Sequence, residues 1–142
     1  MSHAKTAPMP DDTRRDDPAL IARHLFDAFA RADRETAERL IADDFTFTSP
    51  NDNALDRAAY FATCWPQAGP VLAFDLLEVV AAGDRVFATY EAHDTEAHRF
   101  RNTEVLTIRG GQVRSVEVYF GWRLPHPVER GRHRQPAAAG PA

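Results

Sequence analysis

Two glutamates in the last third of the chain, Glu104 and Glu117, have a spacing that suggests acid–base chemistry. They lie on either side of Gly110-Gly111, a dipeptide typical of a two-residue hairpin turn. Such a turn would pair Arg109 with Gln112 and, further along the two strands, Glu104 with Glu117. Two facing carboxylates repel each other, so either a cation bridges them or one holds a proton with a raised pKa. The second state suits a general acid or base.

The predicted Glu104 and Glu117 pair also has a purely structural interpretation. Arg101, Arg123 or a partner subunit would neutralise both carboxylates if the pair lay on an outer or dimer face of the sheet. The sequence leaves both interpretations open, a catalytic pair and a neutralised surface pair.

A polar loop between two predicted strands holds four residues of metal-ligating type, His93, Asp94, Glu96 and His98. Their spacing matches no compact zinc signature, and an exposed polar turn explains the same residues. The single cysteine, Cys64, cannot form an internal disulfide or support a metal framework alone. We therefore predict no metal site and no cofactor.

Three helices are predicted in the first half of the chain, each beginning at an aspartate. Asp17 followed by Pro18 is a helix start, and Asp33 and Asp56 are suited to cap two shorter helices. Apolar residues follow each cap at helical spacing, so each helix has one face that must be buried. These apolar residues are Ile21, Leu25, Ala28, Phe29, Ala32, Ala37, Leu40, Ile41, Tyr60, Phe61 and Cys64.

The second half of the chain is rich in β-prone runs separated by glycine turns. One short strand, 45–49, ends at Pro50. Helices followed by a meander of strands predict an α+β fold, with three N-terminal helices packed on a strongly curved antiparallel sheet that forms a cone-shaped α+β barrel. The four long predicted strands are 71–82, 85–92, 100–109 and 112–122.

The 142 residues predict one folded domain, residues 18–123. The segments 1–17 and 124–142 are rich in proline, alanine, glycine and charge and lack an apolar period. We interpret them as flexible tails.

The composition argues against several classes of partner. The formal net charge is -4, so the chain has no global basic field to attract nucleic acid. The longest apolar stretch, 71–82, is interrupted by Asp75 and Glu78 and is too short to cross a bilayer. The N-terminus lacks the apolar core of a signal peptide. We expect a cytoplasmic protein that binds neither nucleic acid nor a membrane.

The order of the predicted elements and the segment TEVLTIRGGQVRSVEVYFGW resemble the nuclear transport factor two-like superfamily. SnoaL-like polyketide cyclases and ketosteroid isomerases belong to that superfamily. The resemblance covers residues 18–122 and implies a cone whose open end holds a small, often apolar ligand. It also implies a homodimer through the outer face of the sheet, and it predicts fold better than function.

The acids of the resembling enzymes are absent from the matching positions. Ser49 stands where the isomerases have their base, Thr103 near their second acid, and Val118 near the acid of the cyclases. Tyr90 and Ala92 fall near the arginine and aspartate of the epoxide hydrolases. None of the three known chemistries therefore transfers residue by residue.

Asp52 is the best substitute base that the resemblance offers. With Asn53 it follows Ser49-Pro50, close to the position of the isomerase base if the loop shifts by a few residues. A turn that bonds its own backbone also explains these residues. In the catalytic interpretation, Tyr90 would steady an enolate oxygen by hydrogen bonding.

The sequence predicts a pocket that suits a small apolar or aromatic organic ligand. Three functions remain open: an isomerase or cyclase that moves a proton next to a carbonyl, a non-catalytic binding or accessory domain, and a dimeric interaction module. The predicted pocket-lining residues are Ser49, Asn53, Tyr60, Trp65, Thr103, Val116, Val118 and Phe120.

Overall fold

The computed structural model describes residues 17–133. The predicted tails, 1–17 and 124–142, fall mostly outside this range, so their flexibility stays a prediction. The described part of the second tail, 124–133, completes the last strand and then lies partly beside the cavity discussed below.

Three helices form at the predicted places, and each is capped by the expected aspartate. The side chains of Asp17, Asp33 and Asp56 accept backbone N–H groups of the first helical turns. These bonds satisfy donors that the start of a helix leaves open. The helices are α1 (Pro18–Arg31), α2 (Arg34–Leu40) and α3 (Arg57–Thr63).

Six strands form one curved, open sheet. The strands are β1 (Ile41–Ser49), β2 (Asp52–Asp56), β3 (Leu72–Ala82), β4 (Arg85–Asp94), β5 (Arg99–Arg109) and β6 (Gln112–Leu124). Their order is β2-β1-β6-β5-β4-β3, with β1 parallel to β6 and all other neighbours antiparallel. The predicted α+β class, with three helices on a strongly curved sheet, is confirmed. The sequence analysis missed β2, started β1 too late and did not foresee the parallel pair.

The concave face of the sheet packs against the helices. Along β4 the buried side chains alternate, with Val86, Ala88 and Tyr90 facing inward. Phe26 of α1 meets Tyr90 and Phe74 edge to face, with ring centroids 5.2 Å apart in both pairs. Helix α1 therefore fixes the position of Tyr90 from above the sheet.

The hairpin between β5 and β6 starts in the predicted register and then departs from it. Gly110-Gly111 forms the turn, and Arg109 pairs with Gln112. Ile108 then pairs with Val113, but the next residue of β6, Arg114, is an extra residue that has no partner on β5. This bulge moves the side chains of Ser115 to Phe120 to the opposite face from the one predicted.

The predicted pairing of Glu104 with Glu117 is therefore wrong. Glu104 lies opposite Val118, and Glu117 lies opposite Val105. Glu104 faces the interior of the cone, whereas Glu117 is on the outer face of the sheet. The two carboxylates do not form a pair.

Candidate functional site

A cavity of about 960 Å³ opens between the helices and the concave face of the sheet. Most of its wall is apolar, with Phe26, Phe29 and Phe74 on one side and Leu106 and Val116 on another. This volume and lining suit a small, mostly apolar organic molecule.

Glu104 is the acidic side chain that β5 presents to this cavity. Its Oε1 accepts a hydrogen bond from the Tyr90 hydroxyl at 2.9 Å, and the Tyr90 oxygen accepts one from Asn102 Nδ2 at 3.3 Å. The Asn102 Oδ1 accepts the backbone N–H of Gly121 at 3.2 Å. Asn102 and Tyr90 are buried, so this chain of bonds is shielded from bulk water.

The pKa of Glu104 is raised to about 7. Burial among apolar side chains is the main cause, because it disfavours the charged form. The hydrogen bond from Tyr90 acts in the opposite direction, since it stabilises the carboxylate. Glu104 is therefore a carboxyl group that changes charge near neutral pH while facing an apolar cavity.

Tyr60 of α3 brings a second hydroxyl to the cavity. Its ring packs against Phe45 and Phe47, with centroids 5.1 and 5.2 Å apart. Burial raises the pKa of Tyr60, and the nearby charge of Glu104 raises it further. Within residues 17–133 the Tyr60 hydroxyl makes no side-chain hydrogen bond, so it is available to a ligand.

Asp52 also lines the cavity, at the start of the edge strand β2. It is partly exposed, and its charge helps to raise the pKa of the Cys64 thiol, although burial is the larger cause. Ser49 lines the same side, where its hydroxyl accepts the backbone N–H of Asn51 at 3.1 Å. Asp52 lacks the hydrogen-bond chain that holds Glu104.

The structure brings most of the predicted pocket residues together. The cavity is lined by Ser49, Tyr60, Val116, Val118 and Phe120, as well as Asp52, Tyr90 and Glu104.

Three predicted pocket residues lie elsewhere. Trp65 follows the end of α3, and its ring is buried between Phe29 and Phe61. Thr103 points to the outer face, where its hydroxyl bonds that of Thr89 at 2.8 Å, because odd-numbered residues of β5 face outward. Asn53 is exposed on β2.

Sequence reasoning missed Asn102 and the segment 126–128 as parts of the cavity wall. A signal for Asn102 exists in β5 itself. Phe100, Leu106 and Ile108 share its alternation, so a polar residue at 102 or 104 falls on an apolar face. No comparable pattern marks 126–128.

The polar loop between β4 and β5 does not gather metal ligands. His98 Nδ1 lies 2.9 Å from Asp94 Oδ2, a local contact within the turn. Across residues 17–133, no three histidine, cysteine, aspartate or glutamate side chains converge to hold a metal ion. None of the helices in this range is long and apolar enough to span a membrane.

Comparison with known proteins identifies the family. Residues 22–116 match the model of the SnoaL-like domain. No curated protein has a sequence that significantly matches this one.

Several solved structures share the fold at low sequence identity. A candidate ketosteroid isomerase from Kribbella flavida superposes with a TM-score of 0.64 at 20% identity, covering 92% of this chain and 96% of that one. An LEH-like epoxide hydrolase from M. tuberculosis gives 0.63 at 16% identity, with 79% and 86% covered. An NTF2-like protein of unknown function from Cytophaga hutchinsonii gives 0.63 at 14% identity, with 73% and 89% covered.

Proposed function

We propose that this chain, which belongs to the family of SnoaL-like domains, binds a small, mostly apolar organic molecule and moves a proton next to its carbonyl group. The reaction is an isomerisation or a cyclisation that requires no cofactor. The observation that carries the proposal is the Glu104 carboxyl group, held by Tyr90 against an apolar cavity.

Glu104 is the general base in this proposal. Its carboxylate takes a proton from the carbon next to the carbonyl, and the electron pair of the broken C–H bond moves to the carbonyl oxygen to form an enolate. The protonated Glu104 then returns the proton to another carbon, or the enolate carbon attacks a second carbonyl, whose π electrons move to its oxygen, and that alkoxide takes the proton from Glu104. A base with a pKa near the working pH performs both transfers efficiently.

Tyr60 is the donor that we assign to the enolate oxygen. Its hydroxyl reaches the cavity close to Glu104 and makes no side-chain hydrogen bond within the described residues. Tyr90 is not free for this task, because its hydroxyl already donates to Glu104. Tyr90 instead keeps the carboxylate oriented and lowers the cost of its charge.

Glu104 replaces Asp52 as the preferred base for reasons of environment. Asp52 lies on the edge strand β2, whereas Glu104 lies on a central strand, where burial raises its pKa and Tyr90 donates a hydrogen bond to it. A desolvated carboxylate accepts a proton from carbon more readily than a hydrated one does.

The test is proton NMR of enolisable polycyclic ketones in heavy water, with and without the protein. We expect exchange of the carbon-bound proton at a rate that rises with pH through about 7, because the carboxylate form of Glu104 is the active one. Glu104→Gln should slow the exchange ~10²- to 10⁴-fold, the usual contribution of a general base. Asp52→Asn and the outer-face control Glu117→Gln should keep most of the rate.

Other outcomes are equally informative. If Glu104→Gln keeps the exchange rate and Asp52→Asn loses it, Asp52 is the base. Ligand line broadening without exchange in the wild-type protein would make this a non-catalytic binding domain.

We also propose that two copies of the chain associate through the outer face of the sheet. Val80, Phe87 and Tyr119 form an exposed apolar surface there. Arg85 and Glu117 lie on the same outer face, and a two-fold interface would use this surface on both copies. Association through this face leaves the cavity open on the other side of the sheet.

A further inference from the structure

The mouth of the cavity differs in chemistry from its interior. The interior walls are mainly aromatic and aliphatic, whereas the mouth carries basic and imidazole side chains from the β4–β5 loop, the end of β6 and the following segment. These are His98, Arg99, Arg123 and His126.

A bulge at Gly121 turns Arg123 toward the cavity. Val118 and Phe120 face inward, so regular alternation would point residue 123 outward. Between Phe120 and Arg123 the register shifts by one residue, and Arg123 lies opposite Phe100 on the inner face. Bulges near functional sites commonly redirect a side chain in this way.

Arg123 has no acidic partner within residues 17–133. His98, Arg99 and Arg101, in contrast, each contact a carboxylate. The two oxygens of Glu91 contact Arg99 at 3.0 Å and Arg101 at 2.6 Å. Asp94 is held by His98.

The mouth therefore keeps an excess of positive charge. Arg99, which lines the cavity, is paired with Glu91, and Arg123 adds a second guanidinium that has no acidic partner within residues 17–133. The other acids of the wall are Glu104, which accepts the Tyr90 hydroxyl, and Asp52 of β2, which lies on the other side of β6 from Arg99.

Aromatic rings stand beside this charge. Trp122 and His126 stack with ring centroids 4.9 Å apart and planes inclined by 18°. Trp122 and Phe120 are 48% and 53% exposed, although both line the cavity. Flat apolar groups can stack on such rings while an attached anion reaches a guanidinium.

We propose that the ligand of this cavity is an amphipathic organic acid whose apolar body enters the cone and whose carboxylate binds Arg123 at the mouth. The inference rests on the proposed function, because it names the substrate class of the same site. Arg123 is then the specificity-determining residue, and its planar guanidinium can hold a carboxylate through two hydrogen bonds.

Two fluorescent probes that differ by one anionic group test the proposal. They are 8-anilinonaphthalene-1-sulfonate and the neutral N-phenyl-1-naphthylamine, titrated into the full chain. We expect the sulfonate to bind more tightly than the neutral probe, with an affinity that falls as salt is added. Arg123→Gln should weaken sulfonate binding about tenfold and leave the neutral probe unchanged. The control Arg109→Gln, which removes the same charge at the opposite end of β5, should change neither.

Each alternative result overturns the proposal. Equal affinity for both probes would mean that Arg123 does not bind an anion. An equal loss of sulfonate affinity in Arg123→Gln and Arg109→Gln would mean the same. Neither result would contradict the proton-transfer proposal. Binding of neither probe would remove the ligand site altogether. A matched keto acid and its methyl ester then separate the two proposals in the exchange assay, since a preference for the acid depends on Arg123 and exchange itself depends on Glu104.

Discussion

Glu104 owes its proposed role to the groups around it rather than to its residue type. The apolar walls raise its pKa, and the bond from Tyr90 keeps the carboxylate accessible near neutral pH. Glu117, the same residue type on the same hairpin, lies on the outer face and accepts the Tyr119 hydroxyl at 2.7 Å. The two faces of one sheet thus give two glutamates different environments, and only the inner one suits a general base.

The raised pKa of Glu104 makes the stability of the protein depend on pH. Between pH 4.5 and about 7 the folded chain holds a proton that the unfolded chain releases, so the free energy of unfolding falls as pH rises. The shift corresponds to about 3 kcal/mol by pH 8. Glu104→Gln removes this dependence, so its stability relative to wild type should increase by about that amount between pH 4 and pH 8.

Urea unfolding of both proteins at several pH values measures this difference. Glu117→Gln serves as the control, because its carboxylate lies outside the cavity. Parallel pH profiles for wild type and Glu104→Gln would contradict the assignment of a buried titrating group.

Tyr90→Phe tests the hydrogen bond that tunes Glu104. Loss of the hydroxyl removes the contact that stabilises the carboxylate, so the pKa of Glu104 should rise above its wild-type value. Carbon NMR titration of labelled glutamate carboxyls follows this midpoint directly. Tyr119→Phe, which removes a hydroxyl from the outer face, should leave the midpoint of Glu104 unchanged. An unchanged midpoint in Tyr90→Phe would mean that the bond does not form in solution.

At the scale of the elements, the sequence predicted what local chemistry determines. Aspartate caps and glycine turns are short-range signals, so the three helix starts and the turn at Gly110-Gly111 were found. The two bulges of β6 carry no such signal, because they result from how three strands fit one curved sheet. Their consequences reach the site: the Arg114 bulge separates Glu104 from Glu117, and the Gly121 bulge turns Arg123 inward.

The contrast between local signals and long-range packing also explains which features of the candidate site were predictable. Tyr90, Glu104 and Asp52 were predicted as chemically interesting residues, and all three line the cavity. The sequence could not tell which of them is buried or which share hydrogen bonds. Those properties depend on side chains that β4, β5 and α1 bring together from distant parts of the chain.

Gly121→Ala tests the requirement for the second bulge. An added Cβ would overlap the carbonyl oxygen of Arg101, a backbone atom that cannot turn aside. We expect a loss of about 1–3 kcal/mol in the free energy of unfolding, as for other overpacked sites. The strand would also shift at Asn102, which bonds the Gly121 N–H, so binding of anionic probes should weaken.

Gly83→Ala is the control for Gly121→Ala. There an added Cβ meets no atom within 4 Å, and only the positive φ of 63° opposes the change. Its cost should stay near 1 kcal/mol. Equal costs for the two variants would show that the close approach to Arg101 does not matter.

At the scale of the whole molecule, the cone separates two kinds of chemistry along one axis. The proposed base lies inside among apolar walls, and the proposed anion site lies at the mouth. Asn102 connects them, because it bonds both Tyr90 and the backbone of Gly121. The net charge of -4 does not predict this basic mouth, because a sum over all residues does not show where the charges lie.

The outer face of the sheet gives the prediction at this scale. Val80 and Phe87 are 57% and 38% exposed and pair across β3 and β4, next to Val105. An apolar row of this kind is stabilised when a second copy covers it, and an interface between two sheets tolerates little buried charge. Phe87→Glu should therefore convert a dimer into a monomer in sedimentation equilibrium at micromolar concentrations.

The matched control for Phe87→Glu is Val71→Glu, at an exposed valine before β3 begins, which should not change the mass. Both variants should bind the neutral naphthylamine probe as the wild type does, because the cavity lies on the other face of the sheet. A wild-type protein that sediments as a monomer would refute the dimer while leaving the cavity chemistry intact. A monomeric Phe87→Glu variant that also loses probe binding would instead mean that the two faces are coupled, with the outer contact needed to hold the curvature of the cone.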